Sequence, residues 1–326
     1  MHIFKNPTYN FVRWKWHAIA LSWIIILAGV VVTWKYGMPK GVEFSGGTIV
    51  IVKFDQQPDI QQVRSALDRT IPGGGANAIV QQYGDPSTKQ VMIRVHSAGA
   101  EAGGSLSTTA EQVTAALQQA SLGIFQVVGT EIVGPTVGKE LQTRGTLATI
   151  FALTGILIYI AIRFEFSFAV GAVVATVHDL LITLAFLAFF RYDLSLNVIA
   201  AILTITGYSM NDTIVIFDRI RENQRVMRRD NLEHMINTAV NQMLDRTLIT
   251  GGLTLMSVIA LYLFGGEVLK GFAFTMIVGI VTGTYSSVFI AAAIVIIWQG
   301  RRRAKIAAPV APAAPTRKPG RRARAS

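Results

Sequence analysis

Apolar and polar positions alternate along this chain in long blocks. Six runs of about 18 or more mostly apolar residues cover 17–34, 146–162, 168–190, 194–217, 247–264 and 271–298. About 20 such residues cross the hydrocarbon core of a bilayer, so each run predicts a spanning helix. The first crossing, taken as 17–36, follows a polar start of 16 residues and has no small-x-small cleavage site, so it reads as an uncleaved anchor. Between the first and second runs the pattern changes. Residues 48–54 alternate like a strand, 59–70 have helical spacing, 79–83 and 91–96 read as strands, 110–120 as a helix and 125–133 as a closing strand. The order βαββαβ predicts a ferredoxin-like α+β domain over 37–141, with 99–109 as a mobile loop. The predicted fold class is therefore an α-helical polytopic membrane protein: six transmembrane helices, half of a larger bundle, with this domain inserted between helices one and two.

Composition agrees with repeated crossing: of 326 residues, 51% are hydrophobic and 15% charged. The absence of Cys excludes a disulfide framework, a thiolate metal site and a Cys nucleophile. The net charge of +11 is uneven, since nine Lys/Arg and no acid fall within 299–326, leaving +2 for the rest. That basic stretch, Ala/Pro-rich over 307–315, reads as a disordered tail drawn to anionic membrane lipid, and nucleic acid is not an expected partner. Arg219, Arg221, Arg225, Arg228, Arg229 and Arg246 lie between runs four and five, against Arg191 and Lys270 on the opposite side. By the positive-inside rule both termini and the segment 218–246 are cytoplasmic, and the 37–141 domain lies outside the cytoplasm.

Polar groups inside the apolar runs mark the candidate site, because a charge in lipid needs a partner or a water-filled path. In the third run His178 and Asp179 lie near the middle, and Ala172, Ala175, Thr176, Asp179 and Thr183 share one helical face. A satisfied packing network is the plain alternative for both. In the fourth run Tyr208, Ser209, Asp212 and Arg219 share a face, with Thr204 at its margin. Asp212 lies roughly 7 Å inside the cytoplasmic end at about 1.5 Å per residue. The fifth run opens with Asp245 and Arg246 and continues with Thr250 and Ser257; antiparallel packing brings Asp212 and Arg246 to one level, where they can pair. Low-dielectric surroundings disfavour a charged carboxylate and a nearby guanidinium favours it, so small changes in spacing or hydration can move a proton there. A permanent structural ion pair is the competing reading. Gly279 and Gly283 in the sixth run form a close-packing seam, with Thr282 and Ser286 alongside.

Other chemistry is not expected. The stretch V-G-P-T-V-G-K-E from Val133 to Glu140 lacks the first Gly and the final Ser/Thr of a P-loop. Five scattered His without metal-ligand spacing predict no metal site, and no Ser has a nucleophile-elbow context. No enzyme activity and no cofactor are expected.

The run G-Y-S-M-N-D-T from Gly207 to Thr213, continuing I-V-I-F-D-R-I-R-E-N, closely resembles the SecF family of bacterial protein-export membrane subunits in the resistance–nodulation–division superfamily. G-V-E-F-S-G-G-T (Gly41 onward), V-G-P-T-V-G-K-E-L (Val133 onward), V-H-D (Val177 onward), N-Q-M-L-D-R-T-L-I-T (Asn241 onward), L-Y-L-F-G-G (Leu261 onward) and G-T-Y-S-S (Gly283 onward) extend the resemblance over about residues 5–298. It implies pairing with SecD, association with the SecYEG channel and with YajC and YidC, and use of the proton-motive force to assist SecA-dependent export of unfolded preproteins across the bacterial inner membrane. It further implies that Asp212 and Arg246 are proton-pathway residues, with His178, Asp179, Tyr208, Ser209, Asn211, Thr247 and Thr250 as a supporting polar network.

Three expectations accompany this reading: the sheet around 48–54 offers a strand edge to an extended peptide, the small-residue faces of helices three and six contact SecD, and the chain alone is inactive. The alternatives are a stand-alone proton-driven exporter of lipids or small amphiphiles, and a non-transporting scaffold of the translocon.

Overall fold

A computed structural model describes residues 7–70, 78–84, 86–95, 106–227 and 230–307. Six helices are long and apolar enough to cross a membrane. The first, α1, is Lys15–Tyr36; after it come the single turn α2, Val42–Ser45, and the strand β1, Gly47–Phe54. The outer domain continues through α3 Ile60–Thr70, β2 Ala78–Tyr83, β3 Gln90–Val95, α4 Leu106–Gln119 and β4 Phe125–Val133. The remaining helices are α5 Pro135–Arg163, α6 Phe166–Phe189, α7 Leu196–Val226, α8 Leu232–Phe264 and α9 Gly266–Ser286; a π-helical turn, Ser287–Ala291, leads into α10, Ala292–Ala307.

Several helices outrun their apolar segments. Gly134 is extended and Pro135 opens α5, a residue whose fixed φ and missing N–H suit a first turn. The stretch with partial P-loop likeness therefore ends in the opening turns of a helix. The segment 218–246 between the fourth and fifth apolar runs includes the end of α7 and the start of α8, which Asn231 caps by accepting from the Glu233 amide. Asn241 and Asn237 fix that start, accepting from the backbone amides of Tyr9 and Phe11 at 2.9 and 2.8 Å. The basic tail is corrected: helix continues to Ala307, and 308–326 lie outside the described residues. Within the loop assigned to 99–109, residues from Leu106 onward begin α4, and the earlier ones lie outside the described residues.

Helices α6, α7 and the α9–α10 pair form the inner layer of the bundle, whereas α5 and α8 leave most of their surface uncovered. Phe168, Phe217, Ile216, Ile220, Met235, Ile236 and Val295 make the core at the end of the bundle away from the sheet. Closer to the outer domain, Ala201, Ile205, Ala273, Met276 and Ile280 pack α7 on α9.

The outer domain has one antiparallel sheet in the order β2-β3-β1-β4. With α3 and α4 on one face, this is the ferredoxin-like arrangement. Val50, Val52 and Phe54 meet Val63, Leu67, Val113 and Leu117 beneath the helices. Ile49 and Ile51 meet Met92, Tyr83 and Val133 on the other face. β1 itself is buried on both faces and hydrogen-bonded on both sides, so the open edge of the sheet around 48–54 lies on other strands. The edges are β2 and β4, and β4 carries a bulge where Ile51 opposes Gly129 while Val52 opposes Val127.

The domain is clamped to the turn between α6 and α7. Gly41 N–H donates to the Leu194 carbonyl at 2.8 Å and Leu194 N–H to the Pro39 carbonyl at 2.8 Å. A Cβ on Gly41 would lie 3.1 Å from that same Leu194 oxygen, so a larger residue would crowd this approach. From β3, Arg94 reaches Asp193 with Nη2 2.5 Å from Oδ2. Its side chain is only 6% exposed, so removing the counter-charge strands a cation in a poorly solvated place. Asp193→Ala is expected to destabilise this attachment by on the order of 3 kcal/mol, seen as earlier thermal unfolding and faster proteolysis at the α6–α7 turn. The apolar pair Arg94→Met with Asp193→Leu should recover most of that loss; wild-type unfolding of the single variant would show that the pair holds nothing.

Candidate functional site in the membrane bundle

Two polar clusters sit inside the bundle, sharing α7. The first centres on Asp179 of α6, 4% exposed. Its Oδ2 accepts from Ser209 Oγ of α7 at 2.5 Å and from Ser286 Oγ of α9 at 2.8 Å. Its Oδ1 lies 2.9 Å from His178 Nδ1. The predicted face is realised: Ala172, Ala175, Thr176, Asp179 and Thr183 are all buried. Small residues let the helices close around the carboxylate. A Cβ on Gly283 would come 2.8 Å from Ser209 Cβ, and one on Gly279 would overlap Ile205. The seam formed by these two glycines, and the small face of α6, are therefore used within this chain. The expectation that they contact a partner is overturned by that packing.

The second cluster lies one turn further along α7. Asp212 is 4% exposed, and its Oδ2 is buried without a hydrogen-bond partner. Tyr208 Oη and Thr247 Oγ1 of α8 are buried and unpartnered too, so three of the five such atoms among the described residues belong to this one region. Gly251 of α8 leaves the space they share: a Cβ there would meet Thr284 Oγ1 at 3.2 Å and Tyr208 Oη at 3.6 Å. Buried polar atoms that lack protein partners are where water or a moving proton is accommodated. Arg246 is near enough for its charge to act on Asp212, but its guanidinium side is exposed and no ion pair joins the two. The expected direct pairing is thus not present in this conformation, and the permanent structural bridge that competed with it is not present either.

The supporting residues divide. His178, Asp179 and Ser209 belong to the first cluster; Tyr208 and Thr247 belong to the second. Asn211 is exposed, lining a groove with Phe151 and Tyr159 of α5, and Thr250 is exposed on α8. Both were expected in the network, and both are exposed, whereas the two acids are buried. Arg219, assigned to the Asp212 face, instead pairs with Glu222 and donates to Gln242 at 2.7 Å, beyond the apolar stretch. Ser22 of α1 and Tyr285 of α9 were missed. Ser22 Oγ is 2.8 Å from His178 Nε2 and 3.3 Å from Tyr285 Oη, and Tyr285 donates to the Ala18 carbonyl at 2.7 Å. A lone serine in an apolar run carries no signal of a partner more than 150 positions away.

A membrane bundle with buried acids on adjacent helices and a ferredoxin-like domain on its first long loop defines a class of membrane protein, and comparison with known proteins places the chain within it. The family described as "Protein export membrane protein SecD/SecF, C-terminal" matches residues 112–301. The chain is 35% identical to the protein translocase subunit SecF of Koribacter versatilis, over 93% of this chain and 95% of that one. It is 40% identical to SecF of Pseudomonas aeruginosa, over 90% and 92%. The crystal structure of SecDF from Thermus thermophilus, described as a translocon-associated membrane protein, superposes with a TM-score of 0.79 at 31% identity. That match covers 91% of this chain and 39% of the other, so the chain spans about two fifths of the solved SecDF polypeptide. The chain belongs to the SecF family of protein translocase subunits and is a multi-pass membrane protein of protein transport.

The glycine seam gives a direct check on the α7–α9 approach. Gly279→Ala is expected to overpack Ile205 and cost on the order of 1–3 kcal/mol, read as a lower unfolding temperature in detergent. Ile205→Ala in the same chain should relieve much of that cost; an unaffected single variant would mean the two helices are not in contact there.

Proposed function

We propose that this chain uses the proton-motive force to assist SecA- and SecYEG-dependent movement of unfolded preproteins across the bacterial inner membrane, paired with a SecD subunit. The observation that carries the reading is the Asp212 carboxylate: buried at membrane depth, unpartnered at one oxygen, and within the field of Arg246 without being bridged to it. A carboxylate held this way changes its balance of charge when a helix moves a short distance or water enters. Moving one elementary charge across the membrane potential yields about 2.3 kcal/mol per 100 mV, enough to bias a two-state equilibrium. In this mechanism a proton binds Asp212, weakens its attraction to Arg246, and lets α7 and α8 shift. α7 begins at the turn that holds Asp193, so the shift reaches the outer domain through the Arg94 contact. The outer domain then holds or releases an emerging chain, and β4 is the edge on which an extended segment can add as a strand. No covalent chemistry and no cofactor enter this cycle; the gradient is the energy source.

A SecD partner is supported by the uncovered face of the bundle. Arg246 and Thr250 on α8 and Asn211 on α7 are exposed at helix positions that lipid would otherwise surround. Polar side chains at such depth face protein or a water-filled path, and a second half of similar architecture supplies both. The positive-inside count supports a cytoplasmic side for the termini and the α7–α8 connection. A self-sufficient exporter or an inert scaffold has no use for a polar face left open in this way.

Asp212→Asn, in vesicles containing SecYEG, SecA and SecD, is expected to reduce gradient-stimulated export to the level without a gradient, while ATP-driven initiation is retained. Undiminished stimulation in a correctly inserted variant would rule the assignment out. Arg246→Met is expected to give the same loss. Vesicles with this chain but no SecD should show no gradient dependence, and stimulation there would favour the stand-alone exporter.

A further inference from the structure

The mechanism above leaves a buried titratable pair unused. His178, 7% exposed, and Asp179, 4% exposed, adjoin on α6 with Nδ1 2.9 Å from Oδ1. We propose that His178 and Asp179 together form a second proton-binding site, distinct from Asp212, which gains and loses one proton at His178 Nε2 through the hydroxyl of Ser22.

The hydrogen bonds make both states of the site acceptable. Asp179 faces three potential donors, His178 Nδ1, Ser209 Oγ and Ser286 Oγ, which is the environment of an ionised carboxylate. No Lys or Arg is bridged to it among the described residues. Hydroxyl donors hold the carboxylate in either state, and when His178 gains a proton its imidazolium, 2.9 Å away, adds a counter-charge. With the extra proton the pair is neutral overall; without it the pair carries one negative charge.

Ser22 serves both conditions. When His178 has one proton, on Nδ1, the Ser22 hydroxyl donates to Nε2 across 2.8 Å. When a proton adds, an N–H bond forms at Nε2 and donates to Ser22 Oγ. The Ser22 hydroxyl then rotates to donate to Tyr285 Oη, 3.3 Å away, whose own proton remains on the Ala18 carbonyl at 2.7 Å. No atom of the chain loses its partner in either state. The proton is exchanged as a unit with the pair, so its position between Nδ1 and Oδ1 does not alter the count. The facing groups from every packed element are Ser22 of α1, Ser209 of α7, and Tyr285 and Ser286 of α9; of these only Tyr285 is titratable. Tyr285 and Ser286 close α9 directly before the π-helical turn Ser287–Ala291, a backbone irregularity that recurs at functional sites.

The consequence lies in Ser209, which is bonded to Asp179 and sits three residues before Asp212 on α7. A change of charge on the pair acts on the same helix that carries the Asp212 carboxylate, so protonation at one cluster biases the other. This coupling rests on the proton-driven reading above; the binding of the proton does not.

The test uses the full chain with SecD in lipid vesicles, labelled with 15N-histidine. Solid-state NMR resolves neutral from doubly protonated imidazole, and His178→Gln identifies the signals of His178 among the five histidines. The expected result is conversion of His178 between the two forms as the pH of the vesicles is changed. In Asp179→Asn the doubly protonated form should be lost at the pH values where the unaltered chain shows it, since the counter-charge is gone. In Asp212→Asn the His178 transition should persist. A single protonation state for His178 at every pH, or an unchanged transition in Asp179→Asn, would overturn the proposal. If His178 titrates with Asp179 but export proves independent of Asp212, the second site stands and the proton-driven reading falls.

Discussion

A carboxylate within a bilayer has no water to turn to, so protein must supply its donors. Asp179 receives them from the neighbouring position on its own helix and from hydroxyls on α7 and α9. That requirement ties three spanning helices together at one atom group, and the rest of the inner layer follows from it. Helices can converge on a single side chain only if their surfaces are lean. Ala172 and Ala175 on α6 and Gly279 and Gly283 on α9 provide the lean surfaces. Where a larger residue would intrude, the convergence, and with it the hydrogen bonds, would be lost.

The two clusters obey opposite rules. Around Asp179 every buried polar atom has a partner, which rigidifies the meeting of helices. Around Asp212 the partners are missing for Tyr208, Asp212 and Thr247, which leaves the region dependent on water or on a change of helix position. A satisfied cluster thus lies beside an unsatisfied one on the same helix, α7. The outer domain repeats the theme, since the paired Arg94 and Asp193 fix it on a turn that continues directly into α7.

Much of this was written in local pattern. Apolar runs gave the number and approximate position of the spanning helices, because lipid thickness imposes a length that any sequence must meet. The period-two stretches in 37–141 gave the βαββαβ order. Intramembrane polarity marked Asp179, Asp212 and Tyr208, since few reasons exist to keep such groups in lipid. Face assignment over α6 was also accurate, where a 100° rotation per residue is enough. On α8 the shared face of Arg246, Thr250 and Ser257 is exposed along its length.

What the sequence determined on its own was therefore the element list, the crossings and the identity of the costly side chains. These follow from periodicity and from the energetics of placing charge in hydrocarbon. The tertiary structure decided which of those side chains meet: that Ser22 reaches His178, that Arg246 stands near Asp212 without bridging it, and that β1 lies inside the sheet. Such pairings join positions far apart in the chain, and their distances depend on packing between helices, which no local repeat encodes.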